Sequence, residues 1–363
     1  MKKFIFILFI LAMTIALIWG INLLLITILT PSQDSQLSSQ PLPQAQPQLP
    51  VQAASPYVSY NGWLKVDGTQ IKNEKGDNFV LQGISSHGLQ WYSDILTNDN
   101  LKKLKETWDV NTFRIAMYTS EGGYIYNKEE TKQKLITIAN NVIDLDMYVI
   151  IDWHILSDNN PNIYKEDSKA FFEEISTLYK DTPNVIYEIC NEPNGDSITW
   201  DNDVKPYAEE IIPIIRKNSP NSLIIVGTPN WCQKLKPSVQ NPLNYKNILY
   251  SCHFYAGTHK QELRDEVSYA LENGLPVIIS EWGTTDASGN GQVDVDESKT
   301  WIDFLKRNNI SFINWSFSNK NESSALLKSD FNNQKDFNSY LTESGNLVKS
   351  LLKSNWPDYV NML

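Results

Sequence analysis

Two glutamates of this chain stand where an ordinary fold would avoid them. Glu192 closes the apolar run in "NVIYEICNEPNG", Asn184 to Gly195, and Glu281 closes the one in "LPVIISEWG", Leu275 to Gly283. Both runs are short and rich in β-branched residues, so both read as buried strands. A carboxylate at the end of such a strand is costly unless it faces a site that uses it. Two of them suggest paired-carboxylate chemistry. One carboxyl would protonate a leaving oxygen while the other attacks the carbon that the oxygen leaves, a division of labour that needs the groups about 5–5.5 Å apart.

The other strand ends carry the residues such chemistry needs. His87 lies in "SSHGLQWY", Arg114 in "NTFRIAMY", and His154 follows Asp152 and Trp153. Asn191 precedes Glu192, Tyr255 follows His253 and Phe254, and Trp315 follows Asn314. Arg114 and Tyr255 can each donate to a carboxylate and keep it ionised, hence nucleophilic. A desolvated partner would keep its proton and serve as acid. Asn191 suits a sugar 2-hydroxyl, a contact that strengthens in the transition state. His154 and His253 suit orientation of hydroxyls or tuning of the acid. Trp315 suits a floor for a flat ring. Three of the chain's 4 histidines fall on this one set of strand ends.

Alternating elements must hold these groups. Strand-like runs are expected at Phe79–Ser85, Asn111–Met117, Tyr148–Trp153, Val185–Cys190, Leu223–Gly227, Ile248–His253, Val277–Ser280 and Ser311–Trp315. Helical periodicity separates most of them: Asn100–Trp108, Lys132–Leu145, Ser168–Lys180, Val204–Lys217, Gln261–Asn273 and Glu297–Asn308, with Gly345–Lys353 last. Alternation of this kind implies a parallel sheet. Eight strands point to a closed (β/α)8 TIM barrel, an α/β fold whose catalytic groups sit at the C-terminal strand ends. Glu192 and Glu281 would then lie three units apart, at roughly 30 residues per unit, and face each other across the mouth. An open doubly wound sheet fits the β-branching equally. No GxGxxG follows the first strand, so a dinucleotide fold has no support, and no cofactor is expected.

The chain has 363 residues and a formal charge of -11. An acidic chain without a Lys/Arg cluster argues against nucleic acid as a partner. Its three cysteines, Cys190, Cys232 and Cys252, lack metal-finger spacing and read as buried thiols. Lys2 and Lys3 precede an uncharged apolar stretch, Phe4 to Leu29. That is longer than the roughly 7–15-residue core of a cleaved signal, which favours an uncleaved membrane anchor over a signal peptide for residues 1–30. Residues 31–56 are rich in Gln, Ser and Pro and read as a flexible linker. One catalytic domain would occupy 57–363. Only residues 354–363 follow the last helical run, so no further binding module is expected there.

The ordered strings "GISSHGLQWY", "FRIAMYTSEGGY", "VIIDWHILSDNNPN", "VIYEICNEPNG", "CHFYAGTH", "ISEWGTTDASGNG" and "INWSFSNKNESSALL" cover essentially Tyr57 onward. In them the chain resembles glycoside hydrolase family 5, most closely its bacterial endo-β-1,4-glucanase branch. The resemblance implies retaining double displacement with Glu192 as acid/base and Glu281 as nucleophile. It implies that Arg114, His154, Asn191, His253, Tyr255 and Trp315 complete the active site. His87, Trp91, Tyr118, Lys320 and Glu322 match glucose-binding positions, and Trp231 matches a stacking platform on the leaving side. A cis peptide after Trp315 is also implied.

The expectation is thus a monomeric β-1,4-glucanase, free of metal, secreted or held at the outer face of the membrane by residues 4–29. It should prefer soluble or amorphous glucan. Related readings are a β-mannanase or xyloglucanase, a glycan-binding surface protein without catalysis, and a metal-dependent barrel hydrolase using His87, His154 and His253.

Overall fold

The computed structural model describes residues 57–353. The apolar stretch at 4–29, the linker at 31–56 and residues 354–363 lie outside the described residues. Among the described residues no helix is long and apolar enough to cross a membrane.

After a single helical turn at Val58–Asn61 comes a small antiparallel hairpin, β1 (Lys65–Asp67) and β2 (Gln70–Lys72). Eight parallel strands then close a barrel: β3 (Gln82–Ser86), β4 (Thr112–Tyr118), β5 (Tyr148–His154), β6 (Val185–Glu188), β7 (Ile224–Gly227), β8 (Ile248–Tyr255), β9 (Val277–Gly283) and β10 (Phe312–Phe317). They pair in chain order, and β10 returns to β3. The larger helices are α1 (Asn98–Trp108), α2 (Lys128–Asp144), α3 (Lys165–Leu178), α4 (Lys205–Asn218), α5 (Gln261–Glu272), α6 (Val295–Arg307) and α7 (Glu343–Lys353). The expected closed barrel is present, and the open doubly wound sheet is not.

Local chemistry explains the helix ends. The Thr97 side chain caps α1 by accepting from the Asn100 amide, and Leu101, Leu104 and Trp108 turn its apolar stripe inward. Asp294 caps α6 through the Glu297 amide, with Asp296 and Glu297 in the first turn and Lys306 and Arg307 in the last, as the helix dipole favours.

Strand alternation sorts the core into an outer and an inner part. On β4, Phe113, Ile115 and Met117 belong to the large cluster shared with the helices. Tyr148 and Ile150 of β5, Ile186 of β6, Ile225 of β7, Leu249 of β8, Ile278 of β9 and Ile313 of β10 form a separate apolar cluster inside the barrel. Val58, Leu64, Ile71 and Phe79 join that cluster, so the hairpin and its flanks plug the N-terminal end. Nearer the C-terminal end the interior becomes polar. Ser85, Arg114, Asp152, Glu188, Ser251 and Ser280 are all buried there.

β9 breaks the alternation once. Ser251 of β8 pairs with Ile278, but His253 pairs with Glu281; on the other side Phe312 pairs with Ile279 and Asn314 with Trp282. β9 therefore holds one residue more than either neighbour around Ser280. Such a bulge re-aims side chains. Ile279 and Trp282 both belong to the outer cluster, while Ser280 and Glu281 both bond to interior groups.

Candidate active site

Arg114, from the middle of β4, organises the polar end of the barrel. Its guanidinium is fully buried. Nε donates to Glu188 Oε2 at 2.7 Å, and Nη1 donates to Glu281 Oε2 at 3.2 Å and Ser85 Oγ at 3.3 Å. Nη2 donates to Asn191 Oδ1 at 2.7 Å and lies 3.0 Å from Asp152 Oδ2. One buried cation thus meets three carboxyl groups, with Glu192 close by. Four buried carboxylates cannot all stay ionised around one arginine. Burial accordingly pushes Asp152, Glu192 and Glu281 each up to about 7, with Arg114 opposing the rise. For Glu281 the nearby Glu192 adds to the rise, and for Glu192 Glu188 does.

Hydrogen bonds tell the two central carboxyls apart. Glu281 accepts on both oxygens, from Arg114 and from the Tyr255 hydroxyl at 2.8 Å. Two donors favour the ionised form. Among the described residues Glu192 has a single side-chain hydrogen-bond partner, His253 Nδ1, at 2.8 Å from Oε1. Burial beside Arg114 lowers His253 to about 4, although Glu281 and Glu188 oppose this, so it is neutral and does not hold Glu192 as a carboxylate. An oxygen of Glu192 and an oxygen of Glu281 lie within 4.8 Å of each other and of a ring nitrogen of His253.

Glu192 is not at the end of a strand, as the sequence suggested. β6 stops at Glu188, and the chain continues irregularly while keeping contact with its neighbours. The Asn191 amide donates to Trp153 O at 3.2 Å and the Gly227 amide to Cys190 O at 3.1 Å. A side chain at Gly227 would meet the Cys190 carbonyl at 2.2 Å, so only glycine lets this segment pass so close.

All the expected residues except Arg114, Asn191 and Trp91 line one cleft of about 510 Å³ at the C-terminal rim. Tyr118 packs on His154 with ring centroids 4.1 Å apart, His154 stacks on Trp315 at 5.3 Å, and His87 meets Trp315 at 4.9 Å. Trp91 is 47% exposed and edge-on to Tyr118. Lys320 and Glu322 pair at 2.6 Å. The Trp315–Ser316 peptide is cis. Asn191 lies behind the cleft wall, where its amide donates to Ile155 O at 3.0 Å and faces His154 Nε2 at 3.3 Å. A larger cavity of about 870 Å³ lies at the opposite end of the barrel, between Trp63, Lys65 and the N-terminal ends of β8 and β9, and holds no carboxyl pair.

Trp231 is 42% exposed and sits on strained backbone. Asn230, Trp231 and Cys232 all adopt left-handed angles, with φ of 60°, 53° and 58°. That conformation costs about 1–2 kcal/mol per residue. Two contacts hold it to the Glu192 segment: the Trp231 amide donates to Pro193 O at 3.1 Å, and the Cys232 thiol donates to Asn191 O at 3.0 Å. Cys190, Cys232 and Cys252 are all buried free thiols, as expected.

The histidines do not gather as metal ligands. His154 Nδ1 lies 2.6 Å from Asp152 and its Nε2 faces Asn191, while His253 is engaged on both nitrogens, by Glu192 and by Ser280 at 3.0 Å. Among the described residues, the group with ligand-atom spacing is Glu192, His253 and Glu281, which is the carboxyl pair itself. Sequence reasoning missed Glu188 and Ser280, and it gave Asp152 no role. It also passed over Gln233, His259 and Ser288, which line the cleft.

Comparison with known proteins places this architecture. Residues 72–321 match the model of the cellulase family, glycosyl hydrolase family 5. An endoglucanase of Clostridium saccharobutylicum is 53% identical over 293 residues, 80% of this chain and 65% of that protein. Endoglucanase A of Evansella cellulosilytica is 54% identical over 252 residues, 69% of this chain and 51% of that protein. The chain therefore spans about half to two thirds of the length of these relatives. Among solved structures, cellulase Cel5C_n superposes with a TM-score of 0.79 at 44% identity, covering 84% of this chain and 95% of that one. The catalytic domain of Thermobifida fusca endoglucanase Cel5A, in complex with cellotetraose, superposes at 0.78 and 33% identity, covering 82% and 99%. Fold and site define a (β/α)8 barrel with a buried carboxyl pair at its C-terminal mouth. The chain belongs to glycosyl hydrolase family 5.

Proposed function

We propose that the protein is a retaining endo-β-1,4-glucanase, with Glu281 as nucleophile and Glu192 as acid/base. The observation that carries this reading is the carboxyl pair with oxygens within 4.8 Å and unequal hydrogen bonding. A retaining enzyme uses carboxyls about 5–5.5 Å apart, whereas an inverting one needs about 6.5–9.5 Å to admit a water. Relatives named as endoglucanases, and the cellotetraose bound to one of them, support a β-glucan substrate.

In the first step the Glu281 carboxylate attacks the anomeric carbon. The bond to the departing sugar breaks, and Glu192 gives its proton to the leaving oxygen. A glycosyl ester of Glu281 remains. In the second step the Glu192 carboxylate takes a proton from water, the oxygen attacks the anomeric carbon, and the ester bond breaks. Two inversions retain the configuration, and both carboxyls return to their starting states. Tyr255 and Arg114 stabilise Glu281 whenever it is charged. His154 and Trp315 wall the reacting ring, His87, Trp91, Tyr118, Lys320 and Glu322 bind the sugars on one side, and Trp231 stacks with a sugar on the other.

Residues 57–363 form the catalytic domain and act as a monomer. Residues 31–56 are a linker, and residues 1–30 direct export as an anchor or a cleaved signal. Membrane fractionation of the expressing cell separates the last two.

The test is release of reducing ends from carboxymethyl-cellulose by the wild type, Glu281→Gln and Glu192→Gln. Turnover by the wild type and its loss in both variants is expected. Turnover of mannan or xyloglucan but not cellulose would move the substrate within the family. Full activity in Glu281→Gln would overturn the mechanism.

A further inference from the structure

Behind the cleft, a closed path of buried side chains joins the two central carboxyls. It runs from Glu192 to His253 Nδ1 at 2.8 Å, from His253 Nε2 to Ser280 Oγ at 3.0 Å, and from Ser280 to Glu188 Oε1 at 2.6 Å. Glu188 Oε2 then meets Arg114 Nε at 2.7 Å, and Arg114 Nη1 meets Glu281 at 3.2 Å. Glu188 and Ser280 are both fully buried, and neither lines the cleft. They cannot touch substrate.

With Glu188 ionised by its 2.7 Å pairing with Arg114, the order of donors along this path is fixed. Arg114 can only donate, so Glu188 accepts from it. The Ser280 hydroxyl has one hydrogen, and it goes to the other oxygen of Glu188. Ser280 Oγ must then accept from its remaining partners, Ser251 and His253 Nε2. A neutral imidazole carries one N–H. With that hydrogen on Nε2, Nδ1 is a bare acceptor aimed at Glu192 Oε1. A protonated Glu192 fills that acceptor, whereas an ionised one would set two lone pairs against each other.

Resting on the assignment of Glu192 as acid/base, we infer that Ser280 and Glu188 are positioning residues for it: they lock neutral His253 in the Nε2–H tautomer, which makes Glu192 hold its proton until a leaving group takes it. The same lock serves the second half-reaction. Once Glu192 has given its proton away, its carboxylate faces the bare Nδ1, and this drives it to recover a proton from the attacking water. The proton count balances over the cycle, because the path itself exchanges none.

Other charges face these groups. Around His253 they are Glu188, Glu281 and Arg114, with the rings of His154 and His259 nearby. Around Glu192 they are Glu281, Arg114, Glu188 and Asp152, with the neutral Tyr118, Tyr255 and Cys232. Asp152 titrates in the same range as Glu192, so a pH profile alone would not isolate the path. Leaving-group dependence does.

The experiment compares full-chain Ser280→Ala and Glu188→Gln with wild type on two substrates. Cellotetraose needs a proton on its leaving oxygen; 2,4-dinitrophenyl cellobioside does not. Loss of one hydrogen bond to a charged group should lower kcat/KM for cellotetraose about tenfold and move its alkaline limb down by about one pH unit, with the aryl substrate unchanged. Equal loss on both substrates, or no loss on either, would overturn the positioning role. Nitrogen-15 shifts of His253 in the wild type provide a test independent of variant folding. An Nε2–H ring is expected, and an Nδ1–H ring overturns the inference. Glu192→Gln serves as reference. If it spares cellotetraose turnover, the acid/base assignment itself fails; if it behaves as an acid/base variant while the other two do not discriminate, only the positioning role fails.

Discussion

Replacing Glu281 by glutamine should abolish turnover and yet stabilise the fold, with a defined dependence on pH. Glu281 is 4% exposed, and burial, then the charge of Glu192, raise it from 4.5 to about 7. In the unfolded chain it titrates near its ordinary value, about 4.3. Between these two values the folded protein holds a proton that the unfolded chain has lost. Stability therefore falls as pH rises through that window, is flat below it, and has lost the full amount above about 7. A gap of two to three units, at about 1.4 kcal/mol each, comes to about 3 kcal/mol. Glutamine resembles the protonated acid in shape and charge but never ionises, so its curve lacks this slope. Urea unfolding should find variant and wild type alike near pH 4.5. Above pH 7 the variant should be more stable by about 3 kcal/mol. Parallel stability curves from pH 4.5 to 8 would refute the picture of a carboxyl forced to ionise in a buried, crowded site.

Other outcomes follow from the same geometry. Glu192→Gln should slow cellotetraose hydrolysis by about 10²–10⁴-fold, as loss of general acid–base catalysis does, while formation of the glycosyl ester from 2,4-dinitrophenyl cellobioside, read as kcat/KM, stays near wild type. Tyr255→Phe removes one of the two side-chain donors to Glu281. Its ionised form is then less favoured, so the acid limb of kcat/KM should move up by about one to two pH units, and an unmoved limb would exclude the bond from function. Trp231→Ala should raise KM for cellotetraose about tenfold, the worth of one aromatic contact, with thermal stability unchanged, because the contacts that hold 230–232 do not use its side chain.

Much of this was legible in the sequence because barrel strands announce themselves as short β-branched runs, and because polar residues at their ends have few other reasons to be there. Glu192, Glu281, His154, His253 and Tyr255 were found that way, and the structure brings them to one cleft. Glu188 was not found. It lies inside "VIYEIC", and a reader looking for strand ends passes over it, although it shares the inward face with Ile186. The β1–β2 hairpin was missed too, despite the Gly68 that opens its two-residue turn with a φ of 62°. The left-handed run at Asn230–Cys232 had no signal at all, since no glycine invites it. Tertiary contacts to Pro193 and Asn191 impose it.

The extra residue in β9 has a consequence for anyone who would rebuild this barrel. In a regular strand two adjacent positions answer to different environments, and each can be varied without consulting the other. Here Ser280 and Glu281 share one side, and what turns them there is a mismatch of length against both β8 and β10. The aim of Glu281 is thus a property of three strands. Grafting the string "SEWG" into another barrel would carry the glutamate without its direction. Were β9 to pair regularly onward from Ile278, with no extra residue taken up at Ser280, Glu281 would turn out among the helices while every residue type stayed in place.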